Sequence, residues 1–148
     1  MNAREIMTGD PACCTPTDTA RHAATLMADR DCGCVPVVAD LESHRLVGVV
    51  TDRDLATRGL ARGLGPETPV RDLMTDNPNC CGPDDDLAAV ERIMTERQVR
   101  RVPVVDGDGC CVGIVAQADL ARERGAVDES ELGRVVEAIS EPRGSSTS

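Results

Sequence analysis

Arg4-Glu5-Ile6-Met7-Thr8, Pro11-Ala12-Cys13-Cys14 and Val35-Pro36-Val37-Val38 return 67 residues later as Arg71-Asp72-Leu73-Met74-Thr75, Pro78-Asn79-Cys80-Cys81 and Val102-Pro103-Val104-Val105. Residues 48–54 (GVVTDRD) then return as 113–119 (GIVAQAD) at an offset of 65, so the first copy carries two extra residues in the turn at 40–46. A fixed internal period marks one folding unit used in tandem. Two copies are too few for a solenoid. Each is expected to bury its apolar face against the other in a closed, pseudo-twofold pair.

The chain has 148 residues, enough for one compact domain or two small interlocked ones that bury roughly 68–70% of the unfolded surface. A half of this size would be marginal alone, so one shared core is the expectation. There is no Phe, Tyr or Trp, which leaves Val, Leu, Ile, Met, Ala and Cys to fill that core and excludes aromatic stacking on nucleic-acid bases. The net charge is −10 and all sixteen basic residues are Arg. An acidic chain without a basic stripe repels phosphate backbones and anionic lipid surfaces, so neither nucleic acid nor membrane is an expected partner. The start, MNAREIMTGD, lacks a signal-type apolar stretch, and no segment reaches the ~18 apolar residues of a membrane span. A cytoplasmic protein is expected.

Each copy opens with a short amphipathic segment ending in Met-Thr, followed by a Pro-led extended stretch. A helix follows, opened by Thr17 or Asp18 in the first copy and by Asp84 or Asp85 in the second, whose side chains can cap free backbone N–H groups. Its apolar positions are Ala20, Ala23, Ala24 and Met27 in one copy and Leu87, Val90 and Met94 in the other. Two β-branched runs come next, at 35–38 and 47–50, then at 102–105 and 112–115. Asp106-Gly107-Asp108-Gly109 is a strong hairpin turn between the second pair. A second helix starts at Asp52 or Gln117, giving the order β-α-β-β-α twice. Residues 58–70, with three glycines and two prolines, form the joint. The expected boundaries are 1–66 and 67–125 for the two repeats, then a helix over 126–140, capped by Asp128 and striped with Leu132, Val135, Val136 and Ile139. Residues 141–148 read as a disordered tail.

These residues resemble a tandem cystathionine β-synthase (CBS) domain pair, or Bateman module, over about residues 4–125. Met-Thr before a Pro-led strand, Val-Pro-Val-Val and the Gly-x-x-x-x-x-Asp ending all occur in order in both copies. The chain is also similar to stand-alone bacterial two-repeat proteins of the hypoxic-response type, which share Thr-Asp-Arg-Asp, Arg-Arg-Val-Pro-Val and a short C-terminal helix. The resemblance implies an α/β fold of two β-α-β-β-α repeats. It implies a non-enzymatic regulatory module that binds AMP, ADP, ATP, S-adenosylmethionine or NAD-type ligands in clefts between the repeats. It also implies a homodimer with a partner protein of unknown identity.

In GVVTDRD, a strand glycine at 48 would allow a ligand close to the backbone. The Thr51 hydroxyl suits a phosphate or ribose oxygen, and Asp54, one helical turn on, can accept both ribose hydroxyls. The bland alternative is that Thr51 and Asp54 only cap the next helix. By resemblance, adenine would lie along Gly33, Cys34 and Val35 and near Asn79, with Ala12 and Arg53 also at the ligand. The second copy keeps Gly113 and Asp119 but has Ala116 for the hydroxyl residue. In compensation it has Arg100 and Arg101 where the first copy has Gly33 and Cys34, and Arg forks suit phosphates. Their bland alternative is pairing with Asp119 or Asp106.

The eight cysteines (13, 14, 32, 34, 80, 81, 110 and 111) lack the two-to-four-residue intervals of zinc loops. Cys14, Cys81 and Cys111 are expected to be small core hydrophobes, with cytosolic thiols reduced. The other five leave open a redox pair or a zinc site, and with it the competing reading of a redox- or metal-responsive interaction module with vestigial nucleotide clefts. His22 and His44 are isolated, with no triad partner, and are expected at the surface. No nucleophile–base pair or catalytic acid pair is visible, so an enzyme is not expected.

Overall fold

The structure, a computed structural model, describes residues 1–125. The expected C-terminal helix and tail lie outside the described residues. The order is α1 (Ala3–Ile6), β1 (Thr8–Gly9), α2 (Ala20–Arg30), β2 (Cys34–Val38), β3 (Leu46–Thr51), α3 (Asp52–Asp54), β4 (Thr75–Asp76), α4 (Leu87–Arg97), β5 (Arg101–Val105), β6 (Cys111–Ala116) and α5 (Gln117–Gly125). The chain stays helical beyond α3, through a π turn (Leu55–Gly59) and a 3₁₀ turn (Leu60–Arg62), and stops at Gly63 with φ 78°. The joint is therefore shorter than its glycine content implied.

Two three-stranded sheets form, β2-β3-β4 and β1-β6-β5. The first strand of each repeat thus joins the other repeat's sheet. β4, from the second repeat, lies antiparallel on β3 with Gly48 opposite Asp76 and Val49 opposite Thr75. β1, from the first, lies on β6 with Thr8 opposite Ile114 and Gly9 opposite Gly113. The segment before each borrowed strand docks on the other repeat's helix start. Ala3 N donates to Asp85 O and Arg4 N to Pro83 O, both at 2.9 Å, while Val70 N donates to Asp18 O at 2.8 Å and Arg71 N to Pro16 O at 2.9 Å.

The result is two compact units. One comprises Asp10–Pro78 with Val105–Val112 and is called here the Thr51 unit. The other, the Arg100 unit, comprises Met1–Gly9, Asn79–Val104 and the described residues from Gly113 on. Each has its own core, whereas the small size of one repeat had led to the expectation of a single shared one. Exchange of N-terminal segments relieves that size limit, because each unit gains a strand and two apolar anchors. In the Thr51 unit, the borrowed Val70 and Leu73 are buried with Cys14, Ala23, Met27, Val35, Val37 and Val50. In the Arg100 unit, Ala3, Ile6, Cys81, Val90, Met94, Val102, Val104, Val115 and Leu120 are buried.

The helix caps fall later than expected. Thr19 caps α2 through His22 N, and Asp86 caps α4 through Ala89 N. Asp18 and Asp85 do another job: they accept from Thr15 N and Gly82 N, each at 2.8 Å, and so close the Pro-led turn one step before the helix. An Asp that holds a turn cannot also cap the helix. The 106–109 turn is as expected, with Gly109 N on Asp106 O and Gly109 at φ 83°.

Candidate functional site

In each unit the second hairpin strand runs into a helix, and the crossing makes a corner. In the Thr51 unit, Cys34 at the start of β2 pairs with Thr51 at the end of β3, and Asp52 N donates to Gly33 O at 3.0 Å. The Arg100 unit repeats this geometry, with Gln117 N donating to Arg100 O at 2.8 Å. Gly33, Cys34, Thr51 and Asp54 are thereby gathered at one corner, and Arg100, Ala116 and Asp119 at the other. Val35 and Arg101 lie one residue along their strands.

The acids at these corners do cap their helices. Asp54 Oδ2 accepts from Thr51 N at 2.9 Å while Thr51 Oγ1 accepts from Asp54 N at 3.1 Å, a reciprocal capping box. Asp119 Oδ2 accepts from Ala116 N at 2.8 Å, and its hydroxyl partner is missing. The capping alternative is therefore structurally real, yet it does not exhaust these groups. A carboxylate offers about four acceptor sites. The Asp54 side chain is 14% exposed and Asp119 10%, each held by one backbone N–H and one arginine. Thr51 also keeps its hydroxyl proton free to donate.

Sequence reading missed those arginines. Arg58 Nε stands 3.7 Å from Asp54 Oδ1, and its NH1 donates to the carbonyls of Leu73 (3.3 Å) and Met74 (3.1 Å), which ties the corner to the borrowed strand. Arg122 NH2 bonds Asp119 Oδ1 directly. Their positions, four and three residues after the acids on a helix, were the available signal.

The glycines in the strands have a packing role within the fold. A Cβ on Gly48 would lie 2.7 Å from Thr75 O and 3.0 Å from Met74 Sδ, and one on Gly113 would overlap Met7 Sδ and lie 3.0 Å from Thr8 O. Each glycine admits the borrowed Met-Thr strand, a close approach inside the fold that a side chain would block. Gly33 sits under Asp52, whose carboxylate would be 2.9 Å from a Cβ there. Arg53 and Asn79 are exposed, and Ala12 is half-buried just before the Cys14 N to Pro36 O bond.

Arg100 departs most from an ordinary surface cation. Its Nε is buried without a hydrogen-bond partner, and Asp119 takes Arg122 rather than Arg100 or Arg101. A buried donor left unmade costs about 1–3 kcal/mol, so the group calls for an acceptor. The two corners also differ in charge: Gly33 with Asp52 in one, Arg100 with Gln117 in the other.

Burial foremost, then the charges of Asp18 and Cys34, pushes Cys14 up to about 12; burial, then Asp85 and Cys80, does the same to Cys81. Cys14, Cys81 and Cys111 are buried as expected, and so is Cys34. No group of three or more His, Cys, Asp or Glu positioned to hold a metal occurs among the described residues. His22 is exposed, 4.0 Å from Asp18, whereas His44 is half-buried in its turn at φ 59°.

The CBS domain family matches residues 3–60 and 70–125, which are the two repeats. The chain belongs to the CBS domain family. Hypoxic response protein 1 of Mycobacterium tuberculosis is 36% identical over 141 residues, spanning 95% of this chain and 94% of that protein. Its crystal structure, with two coordinated zinc ions, superposes at a TM-score of 0.75 over 82% of this chain and 98% of its own. The Arabidopsis thaliana CBS-pair protein CBSX2, solved in complex with AMP, is 27% identical with a TM-score of 0.72, covering 85% and 97% of the two chains. The CBS domain pair of MJ0100, solved with 5′-methylthioadenosine and S-adenosylmethionine, is 26% identical with a TM-score of 0.77, covering 86% and 98%. The CBS fold here is thus shared with proteins that take adenosine compounds. Among the described residues of this CBS pair, no helix is long and apolar enough to cross a membrane.

Proposed function

We propose that the chain is a non-enzymatic, cytoplasmic sensor of adenosine-containing ligands, and that its two corners have different tasks. The buried, unpartnered Nε of Arg100 carries this reading. With Arg101 beside it, Arg100 supplies the cationic fork for a ligand phosphate. In the Thr51 unit, Asp54 and Thr51 grip a ribose diol, while Ala12, Gly33, Cys34 and Val35 offer small side chains and backbone to an adenine, with Arg53 at the rim. Asp119 serves the ribose role more weakly in the Arg100 unit. The AMP and S-adenosylmethionine complexes of the neighbours support the ligand class.

Asp54→Ala should therefore weaken binding of an adenosine ligand more than Asp119→Ala does. Thr51 adds a hydroxyl in the first corner where Ala116 adds none, and hydrogen bonds to a charged group are worth about 1.5–3 kcal/mol, tenfold or more in affinity. Calorimetric titration of both variants tests this; unchanged affinity in Asp54→Ala would remove the ribose role.

A homodimer with an isologous interface belongs to the same reading. An apolar cavity of about 180 Å³ opens on the Thr51 unit, lined by Ala20, Ala24, Leu55, Leu60, Leu64 and Leu73, and Leu60 is 76% exposed at its rim. It is below the roughly 300–1,000 Å³ of ligand pockets and suits side chains better than a nucleotide. Light scattering should give twice the 15.7 kDa chain mass; a monomer at micromolar concentration would contradict it.

A further inference from the structure

The repeat makes the two corners equivalent, yet at one place their charge is reversed. Gly33 corresponds to Arg100 at the offset of 67, and Asp52 to Gln117 at the offset of 65. Both pairs are tied alike, Asp52 N donating to Gly33 O and Gln117 N to Arg100 O. In the Arg100 unit a cationic side chain leaves the strand here, and the helix begins with a neutral amide. In the Thr51 unit the strand residue has no side chain, and the carboxylate of the first helical residue lies over its Cα. A Cβ on Gly33 would be 2.9 Å from Asp52 Oδ2 and 3.2 Å from its Cγ. An anion fills the space into which Arg100 extends in the other corner.

The fold makes little use of that charge. Asp52 is exposed, and among the described residues it has no ion pair. Its Oδ1 accepts from the backbone N of Arg53 at 2.8 Å, which an amide oxygen does equally well. The helix is capped by other groups, Thr51 and Asp54, and Arg58 stands on Asp54.

We propose, on the reading that the corners take adenosine compounds, that Asp52 is a specificity-determining residue. It turns phosphates away from the Thr51 corner and leaves that corner to adenosine compounds with an uncharged or cationic 5′ substituent. The substituent lies one sugar ring from the diol that Asp54 holds, so it stays within the field of Asp52, two residues away. A phosphate there meets a like charge without a counter-ion, a thioether is indifferent, and a sulfonium is attracted. An unfavourable charge against the wrong ligand sets specificity as well as a favourable contact to the right one. The two corners then divide the class, with phosphorylated compounds at Arg100 and nucleoside thioethers or sulfonium compounds at Thr51. Because Asp52 is exposed, the discrimination is moderate and weakens with salt.

The test is calorimetric titration with AMP, 5′-methylthioadenosine and S-adenosylmethionine, beside a melting curve of each protein. The proteins are the wild type, Asp52→Asn, which keeps the acceptor for Arg53 N, and Asp52→Gln, which copies the other corner. The series is repeated with Arg100→Gln added, so that AMP binding reports on the Thr51 corner. There, both Asp52 substitutions should strengthen AMP binding about three- to tenfold and weaken S-adenosylmethionine by a similar factor. Methylthioadenosine should stay within about twofold, and the gain for AMP should shrink between about 50 and 500 mM salt. Melting temperatures should change by less than about 2 °C. If the compounds bind but their order of affinity is the same with and without Asp52, the proposal is overturned and the sensor reading stands. The same holds if all three weaken together with a lower melting temperature, which would assign Asp52 to the helix start. If none of the three binds the wild type, both fall.

Discussion

Arg100→Gln is expected to weaken AMP binding by roughly tenfold to a hundredfold and to leave adenosine binding almost unchanged. The guanidinium carries a buried Nε with no partner, and charge-assisted hydrogen bonds to a phosphate are worth about 1.5–3 kcal/mol. Gln keeps part of the side-chain packing and removes the charge. The ligand-free protein should melt at nearly the same temperature, because the Gln amide N–H takes the place of the unpartnered Nε and no existing hydrogen bond of the side chain is lost. That combination separates a ligand-binding role from a structural one, in which stability would fall and both ligands would weaken together. Calorimetry with AMP and adenosine, beside a melting curve of each protein, makes the distinction. Equal losses for the two ligands would assign Arg100 to the fold.

Gly48→Ala should destabilise the protein by about 2–4 kcal/mol, a melting-temperature drop of roughly 5–15 °C. The new methyl would meet the Thr75 carbonyl at 2.7 Å, and a backbone carbonyl cannot rotate out of the way. β4 must lift, which loosens the Gly48–Asp76 and Val49–Thr75 pairing and the buried Leu73 just before it. Gly113→Ala should cost less, since the first obstacle there is the flexible Met7 side chain and Thr8 O is 3.0 Å away. Gly65→Ala, with nothing within 4 Å, is the neutral control. Thermal unfolding of the three variants checks the order; an unaffected Gly48→Ala would mean that the borrowed strand contributes little.

The element order and the membership of both repeats were legible in the offset-67 repetition, because matched apolar spacing and turn residues act locally. The exchange of segments was not. Met7-Thr8 and Met74-Thr75 read the same whether each pairs with its own repeat or with the other, and only contacts between distant residues decide it. The helix starts were misplaced for a related reason: Asp18 and Asp85 have good capping chemistry, but the Pro-led turns use it first. At the site, Thr51, Asp54, Arg100 and Asp119 could be picked out as residues. That Arg58 and Arg122 already hold the two acids, and that Arg100 Nε is buried without an acceptor, depended on packing.

Titration of the reduced wild-type protein with AMP, ADP, ATP, S-adenosylmethionine and NAD, followed by thermal unfolding, tests the adenosine-sensor reading most directly. A ligand at 100 times its dissociation constant adds about 2.7 kcal/mol, a rise of roughly 5–10 °C. A saturable rise is expected with at least one of these compounds, reduced in Arg100→Gln when the ligand carries a phosphate. No rise with any of them at millimolar concentration would contradict it.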